Sequence, residues 1–162
     1  MTSLGSPSPF FLAGKKAYEI KRSLRFNGEG THHYLERTPS SAGNRKKWTF
    51  SAWIKRSKLG AESRIFGGKA NASHIYFASN DELTWDLANN ASGSSQGNLN
   101  TEAKFRDPSA WFHLVCALDT DNSTADNRMR MYVNGTEITS FGSRSNPSSG
   151  YATNAINDTT LH

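Results

Sequence analysis

Glu82 and Asp86, in the run Asp81-Glu82-Leu83-Thr84-Trp85-Asp86, are the nearest this sequence comes to a hydrolytic carboxylate pair. On an extended strand alternate side chains share a face, so the two would point the same way, about 13 Å apart at strand rise. A retaining glycosidase holds its carboxyl groups at about 5–5.5 Å, so this spacing argues against that chemistry. Ser, His and Asp are all present, but no nucleophile elbow is read around any Ser, so no triad is assigned. These residues point to a protein that is not an enzyme.

Asp119, Asp121, Asn122 and Asp126 in the loop DTDNSTADN offer hard oxygen ligands of the kind Ca2+ takes. The same residues also suit a solvated polar turn, because Asp and Asn bond readily to backbone amides two positions on. We expect the turn, and no cofactor. His32 and His33 are adjacent, and neighbours on a strand point to opposite faces, so they do not make a metal site together. Cys116 is the one cysteine; it can form no internal disulfide and reads as a small core residue. A sugar platform needs an exposed aromatic beside polar hydrogen-bonders, and Trp53, Trp85 and Tyr132 are the candidates. Each has a competing place in the core or against a sheet.

The elements that would carry these residues are strands. Trp111 to Thr139 organises the chain: Phe112, Leu114, Cys116 and Leu118 alternate with Trp111, His113, Val115 and Ala117, which predicts a central strand covered on both faces. Met129, Met131 and Val133 then share a face, and Asn134-Gly135 predicts a type I′ turn into 136–139. WTFSAWIKR predicts a second long inner strand with Trp48, Phe50, Ala52 and Ile54 on one face. Shorter strands are expected at Tyr18–Ile20, Leu24–Phe26, Tyr34–Leu35, Arg64–Gly67, His74–Ser79, Leu83–Leu87 and Asn98–Phe105. Asn27–Gly30 and Asn80-Asp81 predict turns. Asn89–Gly97 and Phe141–Tyr151 predict polar loops, and AINDTTLH predicts a strand cut short.

The chain has 162 residues, enough for one two-layer domain. No apolar run approaches the roughly 20 residues that span a bilayer, and the N-terminus lacks the basic-then-apolar order of a secretory signal. Charge is uneven: residues 1–70 hold 14 Lys/Arg against 4 Asp/Glu, and residues 71–162 hold 5 against 10. The basic clusters suit solvated strand ends or docking to an acidic protein or anionic glycan; no nucleic-acid recognition motif accompanies them. Residues 1–16 are rich in Ser, Pro and Gly around an apolar knot. This segment is read either as a disordered leader or as a docking arm, with Pro9, Phe10, Phe11, Leu12, Lys15 and Lys16 as its contact residues. A β-sandwich is expected over 17–162.

The series SLRFN, YLERTPSSAGNRKKWTFSAWIKR, FRDPSAWFHLVCALDT, DNRMRMYVNGTEIT and AINDTTLH resembles the laminin-G/concanavalin-like jelly-roll modules of tail fibres and other virion appendages of marine bacteriophages, cyanophages especially. The resemblance covers about residues 22–162. It implies an all-β fold of two antiparallel sheets in a jelly-roll sandwich, with a further C-terminal strand beyond His162. It also implies a virion location, N-terminal attachment to another virion protein of the tail or capsid, adhesion to a host-surface glycan, and assembly as a homotrimer. A capsid-decorating protein and a free-standing carbohydrate-binding module are the other functions that such a fold suggests.

Overall fold

The computed structural model describes residues 21–26, 33–68, 72–88 and 94–159. The chain divides into two compact units, Met1–Tyr34 and Leu35–His162. In the first, the described residues carry no strand, and Leu24, Phe26 and Tyr34 are exposed. The strands expected at Leu24–Phe26 and Tyr34–Leu35 therefore do not form. Tyr18, Ile20, the expected Asn27–Gly30 turn and the arm residues Pro9, Phe10, Phe11, Leu12, Lys15 and Lys16 lie outside the described residues.

The second unit is a two-sheet antiparallel sandwich. β1 (Lys47–Ile54), β6 (Phe112–Asp119), β7 (Met129–Val133) and β8 (Thr136–Glu137) form one sheet in the order β1-β6-β7-β8. β2 (Ser63–Gly67), β3 (His74–Phe77), β4 (Glu82–Ala88), β5 (Ser95–Lys104) and β9 (Phe141–Ser145) form the other in the order β2-β3-β4-β5-β9. Apart from one short 3-10 turn at Ala125–Asn127, the described residues hold no helix. The chain is all-β, as its alternating apolar pattern predicts, and the architecture agrees with a jelly-roll sandwich.

Period two decides what each strand buries. β6 sends Phe112, Leu114, Cys116 and Leu118 inward, and β7 sends Met129 and Met131. From the facing sheet come Ile75, Phe77, Leu83, Trp85, Leu87 and Leu99. Aromatic rings bridge the layers: Trp48 meets Trp85 edge-on at 5.4 Å, and Phe77, Phe105 and Phe112 form a three-ring cluster. The two layers are also fastened by charge. Arg56, just after β1, is buried and donates to Asp81 Oδ1 at 2.9 Å and to the carbonyls of Phe105 and Lys58. Arg106 and the Gly60 amide complete the shell around Asp81.

Three expectations change. β6 is central, between β1 and β7, but it is covered on one face only; His113, Val115, Ala117 and Asp119 stay half-exposed. Apolar side chains on its second face come from Val115 and Ala117, which are small enough to face water. Parts of two stretches expected to be loops are strand: β5 starts at Ser95, and Phe141–Ser145 pairs with β5 as an edge strand, while 146–151 carries no strand. Cross-strand hydrogen bonds sustain polar sequence in a sheet whose one face is wet. Finally, the described part of AINDTTLH is a series of bends, because Ala155 and Asn157 take positive φ, 59° and 56°, which an extended strand does not allow. The Asn134-Gly135 turn has the two positive φ values expected, 51° and 82°.

Candidate functional site

The outward face of the β1-β6-β7-β8 sheet carries an aromatic platform. Register pairs Trp53 with His113, and their rings stack at 5.3 Å with planes 29° apart. Ser51, two residues back on β1, lies 2.9 Å from His113 Nε2 through its Oγ. Trp53 is 51% exposed and Trp111, at the entry to β6, 47%. The backbone beneath is fixed by Asn134, whose Oδ1 accepts the His113 amide at 2.9 Å while its own amide donates to the His113 carbonyl. The turn that forms the hairpin thus also clamps the platform.

Tyr132 shares this face, opposite Val115 and Glu137. Its ring lies 5.8 Å from the Arg130 guanidinium. Partial burial, reinforced by the Glu137 charge, raises its phenol above the ordinary value. The face therefore offers flat exposed rings at one end and hydroxyl, imidazole and guanidinium groups beside them. Rings stack on the C–H face of a pyranose and the polar groups hydrogen-bond its hydroxyls.

Of the aromatic candidates, the structure brings Trp53 and Tyr132 onto one face. Trp85 is fully buried between the sheets and presents nothing to a ligand. The reason is parity: Trp85 sits in β4 between Thr84 and Asp86, and the intervening position faces the core. His113, Ser51 and Trp111 were missed as site residues. Alternation places His113 and Trp111 on one face of β6, but only the pairing register brings Trp53 over His113.

The acidic loop is divided between two cation clusters. Lys47 Nζ lies 3.2 Å from Asp119 and 3.8 Å from Asp121, and Lys46 also approaches Asp121. Asp126 instead pairs with Arg144 at 3.4 Å and accepts from Asn146 Nδ2 at 2.7 Å. Asn122 Oδ1 accepts the Thr124 amide, an Asx turn. The four residues thus do not converge, and Lys and Arg already hold the positions a cation would take. Among the described residues no group of three or more His, Cys, Asp and Glu side chains is arranged to hold a metal.

Glu82 and Asp86 share the outer face of β4, and each is engaged: Glu82 accepts from Asn100, and Asp86 from Ser95 at 2.6 Å. Ser95 lies within Gly93-Ser94-Ser95-Gln96-Gly97, which has the spacing of a nucleophile elbow, yet it opens a strand and donates to a carboxylate rather than to a histidine. Burial pushes the Cys116 thiol far above its ordinary pKa, which suits a core residue.

A family model described as concanavalin A-like lectin/glucanases superfamily, Laminin_G_3, matches residues 27–159. The chain belongs to this family. No curated protein and no solved structure gives a match. A concanavalin A-like fold is compatible with carbohydrate binding, and its superfamily holds both lectins and glucanases. Fold alone does not choose between them; the site has to.

Proposed function

We propose that this chain is a non-enzymatic adhesion module of a bacteriophage virion appendage, a tail fibre or a similar part, whose sandwich binds host-surface glycan. The observation that carries the binding half is the half-exposed Trp53 ring, held flat on His113 with Ser51 beside it. An exposed, immobilised ring with polar neighbours stacks on a sugar at little entropic cost. The virion half rests on the resemblance of the ordered motif series to appendage modules of marine phages. In this reading the basic, Pro-containing segment 1–16 docks to a tail or capsid protein, and three copies assemble.

Two experiments test the two halves. On an array of short oligosaccharides the protein should bind at least one glycan, and Trp53→Ala should weaken that binding about tenfold or more while leaving the melting temperature within a few degrees. Unchanged binding by Trp53→Ala would remove the platform from the account. Electron cryomicroscopy of particles carrying the protein should trace residues 1–16 against a tail protein. Density on the head would favour capsid decoration, and absence from particles would favour a free-standing lectin.

A further inference from the structure

Strands β1 and β6 have the same alternation but not the same burial. The inward residues of β6 are buried, whereas Trp48, Phe50, Ala52 and Ile54 of β1 stay half-exposed. Position is the cause: β1 and β2 are the end strands of their sheets, and rings join them on one side of the sandwich, with Phe50 stacked on Phe66 at 5.0 Å and Trp48 6.4 Å from Phe66. Between them lies a cavity of about 280 Å3 walled by Trp48, Phe50, Phe66 and Ile156. The bend at 155–157 closes one end, for Ala155 packs directly on Gly68 and the Asn157 carbonyl accepts the Gly43 amide. The outer edge of β1 has no partner strand among the described residues. Lys46 accepts the Thr120 amide, and the register then sets Trp48, Phe50, Ala52 and Ile54 to exchange their backbone bonds with β6. Thr49, Ser51 and Trp53 therefore turn their amides and carbonyls the other way. Thr49 and Ser51 also line the cavity, so one opening offers apolar walls together with backbone donors and acceptors.

We infer that this edge takes an extended acidic segment of a partner protein, which adds to β1 as a further strand of the sheet and places an apolar side chain in the cavity. A row of amides and carbonyls at period two is matched by another peptide backbone, and a pocket beside the row selects the side chains at alternate positions. Charge selects the flanks. Exposed Lys46 and Lys47 stand at one end of β1, and exposed Lys55 and Lys58 follow the other. Carboxylates at both ends of an incoming segment meet them. A second copy of this chain fits less well, because antiparallel pairing of β1 with itself about Ser51 sets Lys47 against Lys55. The segment is short: with Asn157 across one end of the cavity, it runs beside Thr49 to Lys55, about 20 Å at strand rise. This edge does not depend on the glycan reading, and either can fail alone.

The test is an array of random peptides about seven residues long, probed with the full chain. Bound peptides should carry Val, Ile, Leu or Phe at alternate positions and Asp or Glu at the ends. In solution the tightest of them should slow hydrogen exchange at the amides of Thr49, Ser51 and Trp53 and leave it unchanged at Trp48, Phe50 and Ala52, which already sit in the ladder with β6. Thr49→Pro removes an edge donor that β6 does not use, a change that an end strand tolerates, and should weaken that peptide about tenfold or more. Lys55→Glu combined with Lys58→Glu should weaken it by a similar factor. Should Thr49→Pro fail to fold, the same peptide methylated on alternate backbone amides carries the test against the wild-type protein, and one of its two methylation patterns should lose binding. No peptide held above background, binding indifferent to both the backbone methyl groups and Thr49→Pro, or exchange protection away from β1 would overturn the inference. A concentration-dependent dimer abolished by Thr49→Pro would also overturn it, because a second copy would then fill the edge.

Discussion

The two outward faces of the sandwich solve the problem of a wet sheet in opposite ways. The four-stranded sheet leaves rings in water at Trp53 and Trp111. The five-stranded sheet covers its strands with amides, hydroxyls and carboxylates tied to one another across the strands. Both have the same alternation and share one core. The difference lies in what the outward positions can do: a lone stacked ring recognises a surface through shape and apolar contact, whereas a hydrogen-bonded grid recognises pattern.

Replacing a tryptophan on each sheet is the sharpest break. Trp85→Ala should cost about 3–5 kcal/mol, because the ring is fully buried and leaves a cavity. Trp53→Ala should cost less than about 1 kcal/mol, since half of its surface already faces water. Urea unfolding of the two variants reads the contrast directly, and similar losses would mean that the outer face contributes to the core.

Acid should loosen the fastening between the layers next. The Gly60 amide, with Arg106 and Arg56 hydrogen-bonding the same carboxylate, holds Asp81 down at about 2, against an ordinary 3.8. A depressed carboxylate stabilises the fold fully above its unfolded value and loses that contribution as pH falls toward the folded one. The melting temperature should therefore drop between about pH 4 and pH 2, and in Asp81→Asn, already less stable at neutral pH because Arg56 is left buried without its charge partner, that part of the drop should vanish.

Smaller effects separate the faces further. Gly135→Ala should destabilise by about 1 kcal/mol because φ is +82° there, and it should disturb the His113 resonances of the neighbouring platform while sparing those of Tyr76. Thr84→Val keeps shape and loses the bond to Asn100, for about 1 kcal/mol, with the reverse pattern of resonance changes. Lys47→Ala should shift stability by no more than about 0.5–1 kcal/mol, since its pairs with Asp119 and Asp121 are half-exposed and screened. Chemical denaturation checks all three magnitudes.

Strands whose inner faces are strongly apolar were legible in the sequence: β1, β6 and β7 follow from alternation, β2, β3 and β4 from short apolar runs set off by turn residues, and Asn134-Gly135 named its own turn. Edge strand β9 was not, since FGSRS holds one apolar residue and owes its extended form to pairing with β5. The bends at Ala155 and Asn157 were hidden for a related reason: an alanine at positive φ answers to tertiary contact and not to its own preference. Trp53 was legible as a candidate and Trp85 was not separable from it, because an aromatic on an alternating strand does not say which face is covered. The polar outer face of the five-stranded sheet was illegible altogether. Its residues lie on five strands, and Thr, Asn and Ser in sequence look like loop.

Thr153 accepts from Arg45 and Trp48 and donates back to the Arg45 carbonyl, while Asn157 grips Gly43 and Asn44. These bonds join positions separated by 105 to 114 residues. Such clasps form only after everything between them has been made, at roughly 5–20 residues per second on the ribosome, and they pay the loop-closure entropy of a long intervening chain. The first strand of the sandwich must therefore wait several seconds for the segment that locks its start. For this protein, synthesis has an interval of vulnerability whose length is set by where in the gene Thr153 is encoded.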